Sequence, residues 1–150
     1  MKSVTVSIKK KDGCDDMPVP CYATAGSSGM DLSADVESEV TIMPGEIKLI
    51  STGIYVSIPV GYEAQIRPRS GLALKHGISL VNTPGTIDSD YRGLLSIIVI
   101  NHGKDPFTIR RGDRIAQMVI NEVIRAEIAV KEELDATERS HGGFGHTGRR

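Results

Sequence analysis

The sequence predicts an all-β sandwich or barrel that carries one short helix. Three observations lead there. Runs of β-branched or alternating residues recur along the chain: VTVSIK, EVTIM, LISTGIYVSI, YEAQIRP, LLSIIVIN, FTI, IAQMVINEVI and AEIAV. Turn residues separate them at Pro44-Gly45, Pro59 with Gly61, Pro84-Gly85, His102-Gly103 and Arg111-Gly112. Only one stretch reads as a helix. Many short strands at this spacing argue for antiparallel sheets that close or stack. The 150 residues fit one domain, 1–150, and such a chain buries roughly 70% of its unfolded surface. Tryptophan is absent and Tyr and Phe total six (4 + 2), so valine and isoleucine must fill much of the core.

Taken in order, the elements carry distinct expectations. Pro68 keeps Arg67 extended. Ser70-Gly71-Leu72-Ala73-Leu74-Lys75-His76-Gly77 reads as the helix, with Ser70 as its N-cap and Gly77 as its stop. So short a helix depends on tertiary packing. Pro84-Gly85 suits the centre of a type II turn, and strands on either side make a β-hairpin with Asn82 at its tip. LLSIIVIN is apolar nearly throughout, which predicts a strand buried on both faces. Arg111-Gly112-Asp113 reads as a hairpin turn rather than an adhesion motif. From Asp135 the composition shifts to polar, Gly-rich ATERSHGGFGHTGRR, which on composition alone reads as a disordered tail.

Several functions are disfavoured. A net charge of -1 gives no electrostatic case for a nucleic-acid polymer. No apolar run reaches the length of a membrane span, and MKSVTVSIKKK lacks the apolar segment of a secretory signal. Cys14 and Cys21 are expected as free thiols in a reducing cytosol. The four histidines show no zinc-ligand spacing. Gly143, Gly145 and Gly148 form a GxGxxG match, but no strand precedes it and no helix follows, so a dinucleotide fold is rejected.

The residues that carry chemistry fall in two stretches. Arg69-Ser70-Gly71 sets a guanidinium, a hydroxyl and backbone N–H groups at a helix start, which suits an anion. The plainer reading is a solvated arginine beside a cap. GTIDSDYRG places Asp88 after apolar Ile87, and a carboxylate in a partly buried position can take a proton from water. Asp90 would share its face if the strand stays regular, and the pair could bind Mg2+. The plainer reading pairs either carboxylate with Arg92. Gln117, in a strand-like run, faces either out or into a site. Together these residues describe a β domain for a phosphate ligand.

Five segments, SSGMDLSAD, RPRSGLA, NTPGTIDSDYRG, RGDRIAQM and RSHGGFGHTG, carry a closer resemblance. In this order, across nearly the whole chain, they resemble the motifs of the trimeric dUTP pyrophosphatase (dUTPase) family. The resemblance implies a jelly-roll-like β-barrel that forms a homotrimer, with residues 136–150 as a flexible Gly-rich C-terminal flap. It implies three active sites at subunit boundaries and cytoplasmic, Mg2+-dependent hydrolysis of dUTP by water attack on the α-phosphate. The products, dUMP and pyrophosphate, would lower dUTP and supply dUMP for dTMP synthesis. Asp88 then activates the water, and Tyr91 packs on the deoxyribose and leaves no room for a 2′-hydroxyl. Asn82, Thr86, Ile87 and, through its backbone, Ser96 contact the nucleoside. Arg69, Ser70, Gly71 and Gln117 contact the phosphates. Asp31 supports the site and reaches the metal through water, while Mg2+ rides mainly on the phosphates. In the flap Phe144 stacks on uracil, and Arg139, Gly145, His146 and Thr147 lie at the nucleotide and its terminal phosphates.

Three positions depart from the family pattern: Ser28 where alanine is common, Ser140 where glycine is usual, and His146 where serine is frequent. The related dCTP deaminases lack a flap such as GGFGHTG. A non-catalytic nucleotide-binding module on this scaffold would be expected to have lost the aspartate or the flap, and both are present.

Overall fold

The computed structural model describes residues 3–143. In chain order its elements are β1 (Ser7–Lys10), β2 (Met30–Ser33), β3 (Val40–Ile42), β4 (Ile47–Ser57), β5 (Tyr62–Arg67), α1 (Ser70–His76), β6 (Ile78–Leu80), β7 (Gly85–Ile87), β8 (Leu94–Asn101), β9 (Phe107–Ile109) and β10 (Arg114–Glu122). One sheet has the order β1-β4-β8-β6, the other β2-β10-β5-β7, and β3 pairs with β9 as a two-stranded ribbon. Every pairing is antiparallel. Alternate side chains of the two larger sheets meet in one core: Ile50, Val56, Leu95, Ile97 and Val99 from the first, Leu32, Ala64, Ile66, Ala116 and Met118 from the second. The all-β, jelly-roll-like architecture with one short helix is the one the sequence predicts.

Buried polar groups hold the layers in register. Asn101, fully buried at the end of β8, donates to the carbonyls of Ile42 and Asp105, both at 2.9 Å, and accepts from Gly103 N–H at 2.8 Å. One side chain thereby ties β8, the following loop and β3 together. Gly77 ends α1 as expected, at φ 70° and ψ 18°. A side chain there would also strike the Gly103 backbone, so the helix stop doubles as the contact that seats α1 on that loop.

Five expectations fail, each for a physical reason. Strand β8 is not buried on both faces. Leu95, Ile97, Val99 and Asn101 are buried, whereas Leu94, Ser96, Ile98 and Ile100 are only half-buried. Ile98 and Ile100 stand opposite Leu49 and Ile47, so the outer face is apolar but only partly covered by the described residues. The AEIAV run forms no strand, and Ile128 and Val130 are 87% and 97% exposed. The helix starts one residue earlier than the cap assignment requires. Arg69 is the N-cap, without a side-chain cap bond, because its carbonyl accepts Ala73 N–H at 3.0 Å and Ser70 is already helical. Finally, β6 and β7 do not pair with each other. β6 lies beside β8 and β7 beside β5. The tight turn runs from Leu80 to Thr83, and Gly85 pairs with Ile66. A type II turn needs positive φ at its second central residue. Gly85 is not among the positive-φ glycines, and the Thr83-Pro84 bond is cis. The RGD stretch is a turn as expected, closed by Asp113 N–H on the Arg110 carbonyl at 3.0 Å. It too passes between sheets, from β9 beside β3 to β10 beside β2, and is not a hairpin.

Candidate active site

The outer face of the β2-β10-β5-β7 sheet carries the first group of polar residues. Gln117 on β10 stands opposite Asp31 on β2 and opposite Arg67 on β5. Directly paired residues share a face, so the three form a row across three strands while Leu32, Met118 and Ile66 fill the core behind them. A β-bulge between Arg114 and Ala116 sets Arg114 opposite Ser33, on the same outer face. Asp31 accepts Arg69 Nε at 2.9 Å on Oδ1 and Arg114 Nη1 at 3.0 Å on Oδ2. Arg69 Nη1 also donates to the Arg114 carbonyl at 3.1 Å. Gln117 Nε2 donates to the Pro68 carbonyl at 3.0 Å, which fixes its amide beside the start of α1. These residues border an open cleft of about 350 Å³ lined by Ser28, Asp31, Arg67, Arg69, Ser70, Gly71 and Gln117 among others. Two guanidiniums, free N–H groups of the first helical turn and one carboxylate already shared by arginines give the cleft an excess of donors suited to an anion.

The second group surrounds the start of β8. Val81 N–H donates to the Ile98 carbonyl at 3.0 Å, which holds the loop bearing Asn82 against β8. Tyr91 Oη donates to the Leu94 carbonyl at 3.1 Å, and Ser96 follows two residues later opposite Ser51. Thr86 stands opposite Gln65 and Ile87 opposite Ala64, so Thr86 faces outward and Ile87 inward. Strand β7 ends at Ile87. Asp88 begins a turn closed by Tyr91 N–H on its carbonyl at 3.2 Å. Asp90 therefore does not continue a strand face with Asp88. Asp88 is exposed rather than partly buried, and Arg92 spends one nitrogen on the carbonyls of Ser89 and Tyr91, both at 2.7 Å. Among the described residues no ion pair joins Arg92 to Asp88 or Asp90.

Within one chain the two groups stay apart. Asp88 leaves β7 next to the level of Glu63, four residues before Arg67 on β5. At about 3.3 Å per residue that is about 13 Å along the strand from the row that holds Gln117. None of Asn82, Asp88, Tyr91 or Ser96 lines the cleft beside Asp31. Arg139 is exposed, with its Nε on the Gly142 carbonyl at 2.8 Å. Phe144, Gly145, His146 and Thr147 lie outside the described residues.

A third cluster was not foreseen. The Asp35 side chain, 5% exposed, takes Lys11 Nζ at 2.9 Å, Ser51 Oγ at 3.1 Å and Arg111 Nη1. Arg111 also pairs with Asp16 at 2.8 Å. Burial pushes the Asp35 carboxyl up, but the bonds from Lys11, Arg111, Cys14 and Ser51 outweigh it and hold it far below the usual carboxylate range. Lys11 is pushed up by its hydrogen bond to Asp35, and Asp16 down by its bond to Arg111. The cluster pins the segment after β1 to the turn before β10. Its partners are 24 and 76 residues apart in sequence, so no local pattern announces them. Arg114 was missed at the first site because strict alternation places it with the core-facing residues of β10, and the bulge reverses it.

No group of three or more His, Cys, Asp or Glu side chains among the described residues forms a metal cage. Both oxygens of Asp31, the one carboxylate lining the cleft, are taken by arginines, so a magnesium ion here would be carried on phosphate oxygens and water, a coordination it accepts.

The dUTPase family model matches residues 15–148. A deoxyuridine 5'-triphosphate nucleotidohydrolase from Caldanaerobacter subterraneus subsp. tengcongensis is 60% identical over 146 residues, covering 97% of this chain and 99% of that protein. One from Syntrophotalea carbinolica is 54% identical over 148 residues, covering 99% of each. Among solved structures, the Staphylococcus bacteriophage 80alpha dUTPase with dUPNHPP superposes with a TM-score of 0.86 at 26% identity, covering 97% of this chain and 99% of that one.

Proposed function

We propose, from the premise that this chain belongs to the dUTPase family, that its two groups of polar residues are the two halves of a dUTP site completed between subunits. The enzyme hydrolyses dUTP to dUMP and pyrophosphate. The observation that carries the reading of the site is the separation of the arginine cleft from Asp88 and Tyr91, about 13 Å along the sheet in one chain. A nucleotide held by both halves needs a second copy to supply one of them. The chain presents surfaces fit for that copy: the outer face with Leu49 68% exposed, and the segment after β10 with Ile124 92% and Leu134 85% exposed. Leaving such large apolar groups in water is unfavourable by roughly 25 cal/mol per Å². The homotrimer is the assembly that the family resemblance implies.

In this reading Arg69, Ser70 and Gln117 hold the phosphate chain, with the first-turn N–H groups of α1, including that of Gly71, beside them. Asp31 keeps the Arg69 guanidinium aimed, since Nε is the nitrogen it takes while Nη1 goes to the Arg114 carbonyl. Mg2+ on the phosphates supplies neutralisation of their charge. Asp88 accepts a proton from the attacking water as the oxygen closes on the α-phosphorus. The bond from that phosphorus to the bridging oxygen breaks, and pyrophosphate leaves with the electron pair. Asp88 is exposed and has no ion-pair partner among the described residues, which leaves its carboxylate open to take that proton. The Asn82 loop, with Thr86 and Ile87 leading to Asp88 and the Ser96 backbone alongside, reads the base, and Tyr91 reads the sugar. Fixed hydrogen-bonding edges reject a wrong base strongly, because a mismatch leaves buried polar groups unpaired. The flap, residues 136–150, closes through Phe144, Gly145, His146 and Thr147 with Arg139. Closure excludes water and fixes the triphosphate, and its ordering cost is offset by charged contacts. Both cysteines are free thiols, which fits a reducing compartment, the cytoplasm.

The test is pyrophosphate release from dUTP with Mg2+, run beside dCTP, dTTP and UTP. Rapid release from dUTP alone supports the reading. Comparable release from UTP would remove the role given to Tyr91, and comparable release from dCTP the role given to the Asn82 loop.

A further inference from the structure

Gly93 lies two residues beyond Tyr91 and is not one of the positive-φ glycines, so its backbone does not explain why it lacks a side chain. The space above it does. A Cβ at Gly93 would fall inside contact distance of Tyr91 Oη and Cζ, and would lie 2.8 Å from Cε2. The Tyr91 ring is laid directly across this glycine. Its hydroxyl is anchored just beyond, on the Leu94 carbonyl at 3.1 Å. Turn, ring and anchor form a small closed loop. Asp88 accepts Tyr91 N–H at 3.2 Å, the ring folds over Gly93, and Oη returns to the backbone at the first residue of β8. Tyr91 is still 41% exposed, so the described residues cover its outer side only in part.

We propose that Gly93 is the positioning residue for Tyr91 and so sets the enzyme's discrimination between deoxyribose and ribose. The inference rests on the reading of Tyr91 as the residue that excludes a 2′-hydroxyl. A ring can reject one extra oxygen only if it cannot yield by about an ångström. Gly93 supplies the depth at which the ring sits, and the Leu94 carbonyl supplies its anchor. Any side chain at 93 lifts the ring off its seat and breaks the Oη bond together with it, since both constraints act on the same end of the tyrosine.

The experiment measures kcat/KM for dUTP and for UTP by pyrophosphate release, with melting curves, for the wild type, Gly93→Ala, Tyr91→Phe and Tyr91→Ala. The selectivity ratio is expected to fall on the order of tenfold in Gly93→Ala, the size usual for a contact that discriminates one small group, and about as far in Tyr91→Ala. Tyr91→Phe, which keeps the ring and loses the anchor, is expected to fall by a smaller factor. An unchanged ratio in folded Gly93→Ala, beside a lowered one in Tyr91→Ala, overturns the proposal and leaves the reading of Tyr91 standing. An unchanged ratio in Tyr91→Ala overturns that reading itself. Should Gly93→Ala fail to fold, Tyr91→Phe decides, because a ratio equal to wild type there means that the anchored seat does not set selectivity.

Discussion

Replacing Asp31 with asparagine isolates the part of the site that aims Arg69, the arginine we propose for phosphate binding. In the native protein one oxygen takes Arg69 Nε at 2.9 Å and the other takes Arg114 Nη1 at 3.0 Å. Asparagine keeps one acceptor and turns the other into a donor facing a guanidinium. One charge-assisted bond, ~1.5–3 kcal/mol net, is lost, and the survivor, still donated by a guanidinium, loses the carboxylate's charge. Arg114 and Asp31 are 58% and 27% exposed, so screening holds the total near the low end of that range. The Arg69–Arg114 carbonyl bond remains and preserves part of the geometry. We therefore expect the KM for dUTP to rise on the order of tenfold, equivalent to about 1.4 kcal/mol. The change should fall mainly on KM, because phosphate contacts are present in ground and transition states alike. Steady-state pyrophosphate release at saturating Mg2+ reads it. A KM within twofold of wild type would refute the orienting role. A displaced Mg2+ midpoint with an unmoved KM would assign Asp31 to the metal instead.

Three further perturbations address other parts of the molecule. Asp88→Asn should lower turnover by roughly 10²-fold or more, the size of a lost general base, while a non-hydrolysable dUTP analogue still binds; near-normal turnover would take Asp88 out of the chemistry. Deleting residues 139–150 should leave a folded oligomer by circular dichroism and sizing that hydrolyses dUTP poorly, and an unfolded product would make the tail structural rather than a flap. Asp35→Ala strips the shared partner from Lys11 and Arg111. A broken buried pair costs about 3 kcal/mol, which at ~2–4 °C per kcal/mol for a chain of this size lowers the melting temperature at pH 7 by about 6–12 °C. Because the folded state holds the Asp35 carboxyl below its usual value, its contribution is complete above the unfolded value of about 3.9 and is lost as pH falls beneath it. The gap between wild type and variant should therefore narrow below about pH 4, and a gap that stays constant there would contradict the linkage.

Most strands were legible because one face of each is core and the other is not, and that alternation is written residue by residue. It failed where the physical cause lies outside the alternation. Strand β8 reads as doubly buried because Ile98 and Ile100 are apolar, yet the described residues leave them half-buried, and apolar character alone does not say how far a face is covered. AEIAV carries the same ambiguity. The Pro84-Gly85 pair announces a turn, but whether its flanking strands pair with each other or with two different sheets depends on partners, β5 and β8, that lie before and after them. At the site, Arg69, Ser70, Gly71, Asp88 and Tyr91 could be singled out because their motifs are contiguous. Arg114 could not, since one bulged residue decides which way it points, and Gly93 could not, since its meaning lies in the ring above it.

The loop from Leu80 to Gly85 leaves one sheet and enters the other, and its hydrogen bonds go to both. The segment that carries Asn82 is thus one of the links between the two sheets. A nucleotide seated on that segment would act as a rivet. Its binding energy adds to the native state's resistance to opening, and the added resistance would extend to β5 and β8 together rather than to one layer alone. The local openings by which each sheet could loosen independently would merge into a single larger event while substrate is held. Recognition of the base and cohesion of the fold would then draw on the same few backbone bonds.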